Sequence, residues 1–175
     1  MRSAIAAGFV VFFSLFLLFL FPLFPQLLFS QADAPSLLRF AQKAGDASFS
    51  AEKAAVENVL RTQQDAWNRH DLEGFMAGYW NSPELTFFSG ATEHNGWQAT
   101  LDRYRAAYAS PGHEMGKLEF SGLRIEVLSA DGAFARGSWH LTMPDGKTPH
   151  GLFTLVFRKF PEGWKIVHDH TSAAE

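Results

Sequence analysis

The chain has 175 residues, with 15 Lys and Arg against 18 Asp and Glu, 18 Phe, five Trp, three Tyr and no cysteine. Without cysteine there are no disulfides, no thiol nucleophile and no cysteine to carry a lipid, so an exported domain must be stabilised by its core alone. No basic run or stripe occurs, which leaves nucleic-acid binding without support.

Residues 4–21 carry no charge, and only Arg2 precedes them as a positive flank. Pro22 and Pro25 break the apolar run, and Ser30-Gln31-Ala32 presents the small-x-small pattern that signal peptidase requires. Residues 1–32 therefore read as a secretory signal, and the mature protein is expected to be secreted or periplasmic. The alternative is an uncleaved anchor through residues 4–21, because that stretch approaches the ~20 residues that span a bilayer. A membrane enters the account only in that case. Removing the signal takes away Arg2 and no acid, so the remaining 143 residues carry a net charge of −4 and suit one domain.

Residues 33–50 read as a linker or short helix interrupted at Gly45-Asp46. Ser50 is a good N-cap for the helix that follows, so the domain is expected to cover 51–175. In that helix Val56, Leu60, Gln63 and Trp67 share one face. Asp71 caps a second helix in which Leu72, Phe75, Met76 and Tyr79 keep the i, i+3, i+4, i+7 spacing. Asn81-Ser82-Pro83 ends it, and Leu85–Phe88 reads as a short strand closed by Ser89-Gly90. A third helix places Trp97, Leu101, Tyr104 and Tyr108 on one stripe, and Pro111-Gly112 ends it.

From Lys117 the apolar period changes to two, and four strands follow. The turns between them, Ala130-Asp131-Gly132, Pro144-Asp145-Gly146 and Pro161-Glu162-Gly163, each end in acid-Gly. That fits a three-residue hairpin loop with Gly in the left-handed region. Such loops pair Ser129 with Ala133, Met143 with Lys147 and Phe160 with Trp164, so each sheet face has one parity. The odd face carries Leu123, Ile125, Val127, Ala133, Ala135, Trp139, Leu141, Phe153, Leu155, Phe157 and Val167, and matches Phe153 to Gly137, Leu155 to Ala135 and Phe157 to Ala133. The helices must cover this face. Asp169 and Thr171 then point inward, while His168 and His170 point out. A last turn one residue shorter would reverse that strand.

Three helices and a short strand followed by an antiparallel meander make an α+β cone, a curved sheet wrapped on a helix. Two stretches resemble the nuclear transport factor 2-like (cystatin-like) superfamily. Asp65-Ala66-Trp67-Asn68-Arg69-His70-Asp71-Leu72-Glu73-Gly74-Phe75 is similar to its A-W-x-x-x-D-x-x-x-F helix pair. Gly163-Trp164-Lys165-Ile166-Val167-His168-Asp169-His170-Thr171-Ser172 is similar to its terminal G-W-x-I-x-H-x-H-x-S strand. Asn95-Gly96-Trp97 matches the Gly that opens its third helix. The nearest branches are the SnoaL-like, uncharacterised secreted members and the association domain of calmodulin-dependent kinase II. The resemblance implies a ligand pocket inside the cone and a second subunit against the back of the sheet. It does not choose an activity, since the superfamily includes isomerases, dehydratases, cyclases, binding proteins and assembly domains.

On that basis the pocket is expected to draw on Trp67, Phe75, Tyr79, Trp97, Tyr104, Trp139, Phe157 and Thr171, although such aromatic stripes often simply pack. The dimer face is expected to hold His140, Val156, Ile166, His168 and His170. His168-x-His170 also has a metal-ligand spacing, and His140 pairs with His150 across the sheet. His170, however, lies opposite Thr154, about 13 Å from His150 at ~3.3 Å per residue. The four cannot share one ion at Zn–N distances near ~2 Å, and no metal or cofactor is expected.

Asp169 carries the catalytic reading. A carboxyl on an apolar face has its pKa raised by desolvation and can exchange protons near neutral pH. Tyr79 or Tyr104 could donate to a developing oxyanion. The structural alternative is an Asp that hydrogen-bonds a helix end. No Ser-nucleophile motif and no Gly-rich phosphate loop is present. The leading expectation is a dimeric domain binding an unknown small molecule. Its rivals are a cofactor-free isomerase, dehydratase or cyclase using Asp169, and a structural dimer whose cone is filled by its own side chains. A cavity below the few hundred cubic ångströms usual for ligand sites would remove the binding and the catalytic readings and leave the last.

Overall fold

The computed structural model describes residues 34–111 and 114–174. The proposed signal segment 1–32 lies outside the described residues. Among the described residues no helix is long and apolar enough to cross a membrane. Three helices, α1 (Ala34–Asn68), α2 (Leu72–Met76) and α3 (Trp97–Tyr108), pack on six strands. These are β1 (Thr86–Ser89), β2 (Thr92–Asn95), β3 (Lys117–Val127), β4 (Gly132–Thr142), β5 (His150–Phe160) and β6 (Gly163–Ala173). The strand order is β2-β1-β6-β5-β4-β3, antiparallel except where β1 runs parallel to β6. This is the expected α+β cone with its helices on one face of a curved, open sheet.

The long first helix differs from its expected bounds. It runs unbroken through Gly45-Asp46 and through Ser50, which is therefore an interior residue and not an N-cap. Its early part exposes Leu38, Phe40 and Phe49, whereas from Val56 onward Val56, Leu60, Gln63, Ala66 and Trp67 are buried. The packed domain thus begins near Val56. Asp71 caps α2 as its position requires, accepting from the Gly74 N–H at 2.8 Å.

Four side-chain bonds fasten α1 to the β3 edge of the sheet, besides those that Glu52 accepts from Lys159 and Trp164. The Trp67 indole donates to the Gly116 carbonyl at 2.8 Å. Asn68 both donates to the Leu118 carbonyl and accepts from its N–H, and Gln64 accepts from the Phe120 N–H. These bonds satisfy the edge of β3 as a neighbouring strand would. β3 then shifts register between Ser121 and Arg124, with Gly122 at φ 61°. The extra residue turns Leu118 and Phe120 to the core side, a parity change that the regular alternation hides.

The β4–β5 register is the expected one: Gly137 pairs with Phe153, Ala135 with Leu155 and Ala133 with Phe157. A Cβ on Gly137 would stand 2.7 Å from Phe153 Cζ, so the small residue makes room for the ring. The other two hairpins differ from expectation. Ala133 pairs with Val127, not Ser129, and Leu128 and Ser129 both donate to the Gly132 carbonyl. That loop is two residues longer, so parity survives.

The last hairpin is one residue shorter: Phe160 pairs with Gly163 and Lys159 with Trp164. Trp164 and Ile166 consequently face the core, and Ile166 has no exposed surface. Its backbone also bonds to the segment after α2, through Ile166 N–H to the Gly78 carbonyl and Trp80 N–H to the Ile166 carbonyl, both 2.9 Å. The ladder then shifts between Val156 and Phe157, leaving Val167 as the extra residue. Beyond it Leu155 pairs with Asp169. The short turn and the bulge cancel, and Asp169 points inward after all. Ile166 is therefore a core residue and not part of an exposed dimer face.

Candidate functional site

The inner face of the sheet and the stripe of α3 enclose a cavity of about 170 Å³. Trp67, Phe75, Tyr104, Trp139, Asp169 and Thr171 line it, as the sequence led one to expect. Three expected members do not. Trp97 is only partly buried and donates its indole N–H to the Met76 carbonyl, because it opens the helix about two turns before the stripe reaches the pocket at Tyr104. Phe157 lies buried opposite Ala133, farther along the sheet than the cavity reaches. Tyr79 does not line the cavity but touches its wall at Asp169, Phe75 and Tyr104. The lining also includes Phe87, Ser89, Arg103, Tyr108, Phe120 and Phe153. Phe87 was legible from the alternation of buried Leu85 and Phe87 in the short strand, and Arg103 from its place beside Tyr104 on α3. The place of Phe87 in the site follows only from the long-range pairing of β1 with β6.

By volume the cavity, smaller than the ~300–1,000 Å³ of drug-sized ligand sites, meets the condition set against a ligand of that size, and only its polar lining argues for a smaller one. Its volume equals that of about six waters at ~30 Å³ each, so it admits only a small molecule. Its walls are rigid. Trp67 meets Phe75, Tyr104 and Tyr108 edge-on at 5.2, 5.9 and 4.9 Å, and Tyr104 meets Phe75 and Phe87 at 5.1 and 5.6 Å. Trp139 packs over Gly151 and donates to the Ser172 carbonyl at 3.0 Å, fixing the opposite wall. A larger groove of about 570 Å³ lies between α1 and the start of β6, but Asp169 is not among its residues.

Asp169 is the centre of the site. It is 4% exposed, and Tyr79 donates to its Oδ2 at 2.7 Å. Oδ1 is buried and has no hydrogen-bond partner among the described residues. Burial pushes its pKa up to about 7, against the opposing pull of the Tyr79 hydrogen bond and the Arg103 charge. Burial and the Asp169 charge hold both Tyr79 and Tyr104 well above the usual phenol range, so both remain protonated donors. The site therefore offers a carboxyl that is part acid and part base at neutral pH, and a phenol bound to it. Oδ2 ties the last strand to the segment just after α2, a structural bond, while Oδ1 meets no helix end among the described residues.

His140, His150, His168 and His170 lie on the outer face. His140 and His150 pair, with ring centroids 6.1 Å apart. His168 Nδ1 shares a hydrogen bond of 2.6 Å with Thr86 Oγ1, and its ring meets Phe88 edge-on at 4.9 Å. Desolvation and the neighbouring His170 lower its pKa. Val156, 39% exposed, pairs with His168 on this face. Among the described residues no three His, Asp or Glu side chains gather as a metal ion would need.

Comparison with known proteins agrees with this geometry. The family model described as a SnoaL-like domain matches residues 56–175. A nuclear transport factor 2-like protein of unknown function from Shewanella oneidensis is 36% identical, with a TM-score of 0.63 over 68% of this chain and 97% of that one. A superfamily member from Salmonella enterica shares the fold at 22% identity and TM-score 0.61, covering 72% of this chain and 93% of its own. So does a putative calcium/calmodulin-dependent protein kinase type II association domain from Thiobacillus denitrificans, at 23% identity and TM-score 0.57, covering 68% and 94%. No curated protein matches. With the cone, its inner cavity and the family model in agreement, the chain belongs to the SnoaL-like family of the nuclear transport factor 2-like superfamily.

Proposed function

We propose that this chain is an exported, dimeric domain that binds a small molecule in its cone, against the carboxyl of Asp169. The observation that carries the reading is the partnerless Oδ1 of a 4% exposed aspartate in a cavity wall. A buried polar atom without a partner costs about 1–3 kcal/mol and needs a reason. In an unliganded cone an ordered water held against Oδ1 would recover it. A ligand that donates to Oδ1 recovers it as well. Export rests on residues 1–32, and dimerisation on the exposed apolar and histidine surface around Val156, His168 and His170.

A second reading has its own support. A carboxyl with a pKa of about 7 can both take and return a proton at physiological pH, as cofactor-free isomerisation, dehydration or cyclisation requires. Tyr104, protonated and in the same wall, is a donor for a developing oxyanion. Asp169→Asn separates the two readings once a ligand is in hand. For a catalyst, turnover collapses while affinity stays near wild type. For a binding protein there is no turnover to lose, and affinity falls with the altered carboxyl.

A further inference from the structure

The polar groups around the cavity are unequally occupied. The Trp67 and Trp139 indoles donate to the carbonyls of Gly116 and Ser172, and the Thr171 hydroxyl donates to that of Leu152. The Tyr79 hydroxyl is taken by Asp169. Arg103 is different. One of its guanidinium nitrogens donates to Ser89 Oγ at 3.0 Å, and among the described residues it forms no ion pair. Its guanidinium carbon lies over the aromatic wall, 4.8 Å from the Phe87 ring centre and 5.1 Å from that of Tyr104. This holds a planar fork in place at little further entropic cost.

The strand register then fixes the spacing. Phe87 pairs with Asp169 and Ser89 with Thr171. The guanidinium, spread between Phe87 and Ser89, lies within about two residues of Asp169 along the sheet, roughly 6.6 Å at ~3.3 Å per residue. A fixed cation and a partnerless carboxyl oxygen thus share one small cavity.

Resting on the small-ligand reading above, we infer that the ligand is a small carboxylic acid whose carboxylate is gripped by Arg103, with a hydroxyl or oxo-bearing carbon next to it that faces Asp169. Planar carboxylates match the guanidinium fork with two parallel hydrogen bonds, and one cation beside an acid suits a single negative charge better than the heavier charge of phosphate. About 170 Å³ holds an acid of three to five carbons and little more. A hydroxyl on the adjacent carbon would supply the donor that Oδ1 lacks.

The test is calorimetric titration of the full chain with pyruvate, lactate and 2-hydroxybutyrate. Lactamide and pyruvamide serve as neutral counterparts and inorganic phosphate as a tetrahedral anion. At least one acid should bind ten-fold or more tightly than its amide and than phosphate. Arg103→Gln should weaken that acid ten-fold or more and leave the amide within two-fold. Arg103→Lys, which keeps the charge but not the fork, should fall between, and it serves as the informative variant if the Gln protein does not fold. Amides binding as well as acids, phosphate binding better, or unchanged acid affinity in both variants would each overturn the carboxylate assignment while leaving a ligand pocket intact. If no probe binds, acid or neutral, the assignment and the small-ligand reading both fail.

Discussion

The Tyr79 hydroxyl donates to Asp169 Oδ2 at 2.7 Å, joining the segment after α2 to the last strand across 90 residues of sequence. That one bond occupies half of a buried carboxyl and leaves the other half for something else. It also makes the proton affinity of Asp169 adjustable from outside the cavity.

The first consequence concerns Tyr79. Its hydrogen bond favours the charged form of Asp169, so Tyr79→Phe should move the midpoint of that carboxyl above about 7. Loss of one buried hydrogen bond should cost about 1 kcal/mol or somewhat more. Carboxyl 13C NMR titration reads the midpoint and urea unfolding reads the stability. A midpoint that stays put or falls would contradict the role given to this bond.

The second concerns pH and stability. An unfolded Asp169 releases its proton near 3.8, and the folded one near about 7. Between those values the folded state holds more protons, so stability must decline as pH rises and then level off above about 7. At ~1.36 kcal/mol per pH unit the decline amounts to about 4 kcal/mol. Asp169→Asn removes this contribution. Its stability relative to wild type should therefore improve by a few kcal/mol between pH 4 and pH 8, as read by denaturant unfolding at both values. A constant difference would mean that Asp169 is not desolvated.

The third separates core from interface. Val156→Asp, on the outer face, should give folded monomers by sedimentation if the back of the sheet is the dimer contact. Ile166→Ala should instead destabilise the fold by about 2–5 kcal/mol, whatever the oligomeric state, because Ile166 is fully buried against Phe157. A dimer that survives Val156→Asp puts the contact elsewhere.

The fourth concerns the cavity wall. A Cβ on Gly151 would run into the Ser172 carbonyl and come within 2.9 Å of the Trp139 indole nitrogen. Both belong to the wall beside Thr171, and the Ser172 carbonyl is backbone. Gly151→Ala should therefore cost about 1–3 kcal/mol and change Trp139 fluorescence. An unaltered emission maximum and melting temperature would show that this edge of the sheet is looser than its geometry.

Much of this was legible from alternation and turn chemistry, and what was not legible failed for identifiable reasons. The matching of Gly137 to Phe153 and Ala135 to Leu155 could be read because large-to-small pairing leaves a trace in side-chain volume. The bulges at Gly122 and Val167 left no such trace, since each is fixed by a distant backbone or side-chain partner: Gln64 and Asn68 in one case, Gly78 and Trp80 in the other. The inward position of Asp169 was reached by a register whose turn was wrong by one residue, an error that the second bulge undid. Arg103 escaped because a helical stripe marks what is buried, and a guanidinium lying on aromatic rings is only partly so. The parallel pairing of β1 with β6, which brings Phe87 and Ser89 beside Asp169 and Thr171, is long-range and unmarked by any local turn.

The account turns on Asp169 as a buried, half-ionised carboxyl in the wall of a ligand cavity. The most direct measurement is the 13C titration of its carboxyl carbon in the wild-type protein, with Asp169→Asn to assign the resonance. A midpoint near about 7 is the expected result. A midpoint near the ordinary 3.8 would mean that water reaches both oxygens, and the site proposed here would not exist.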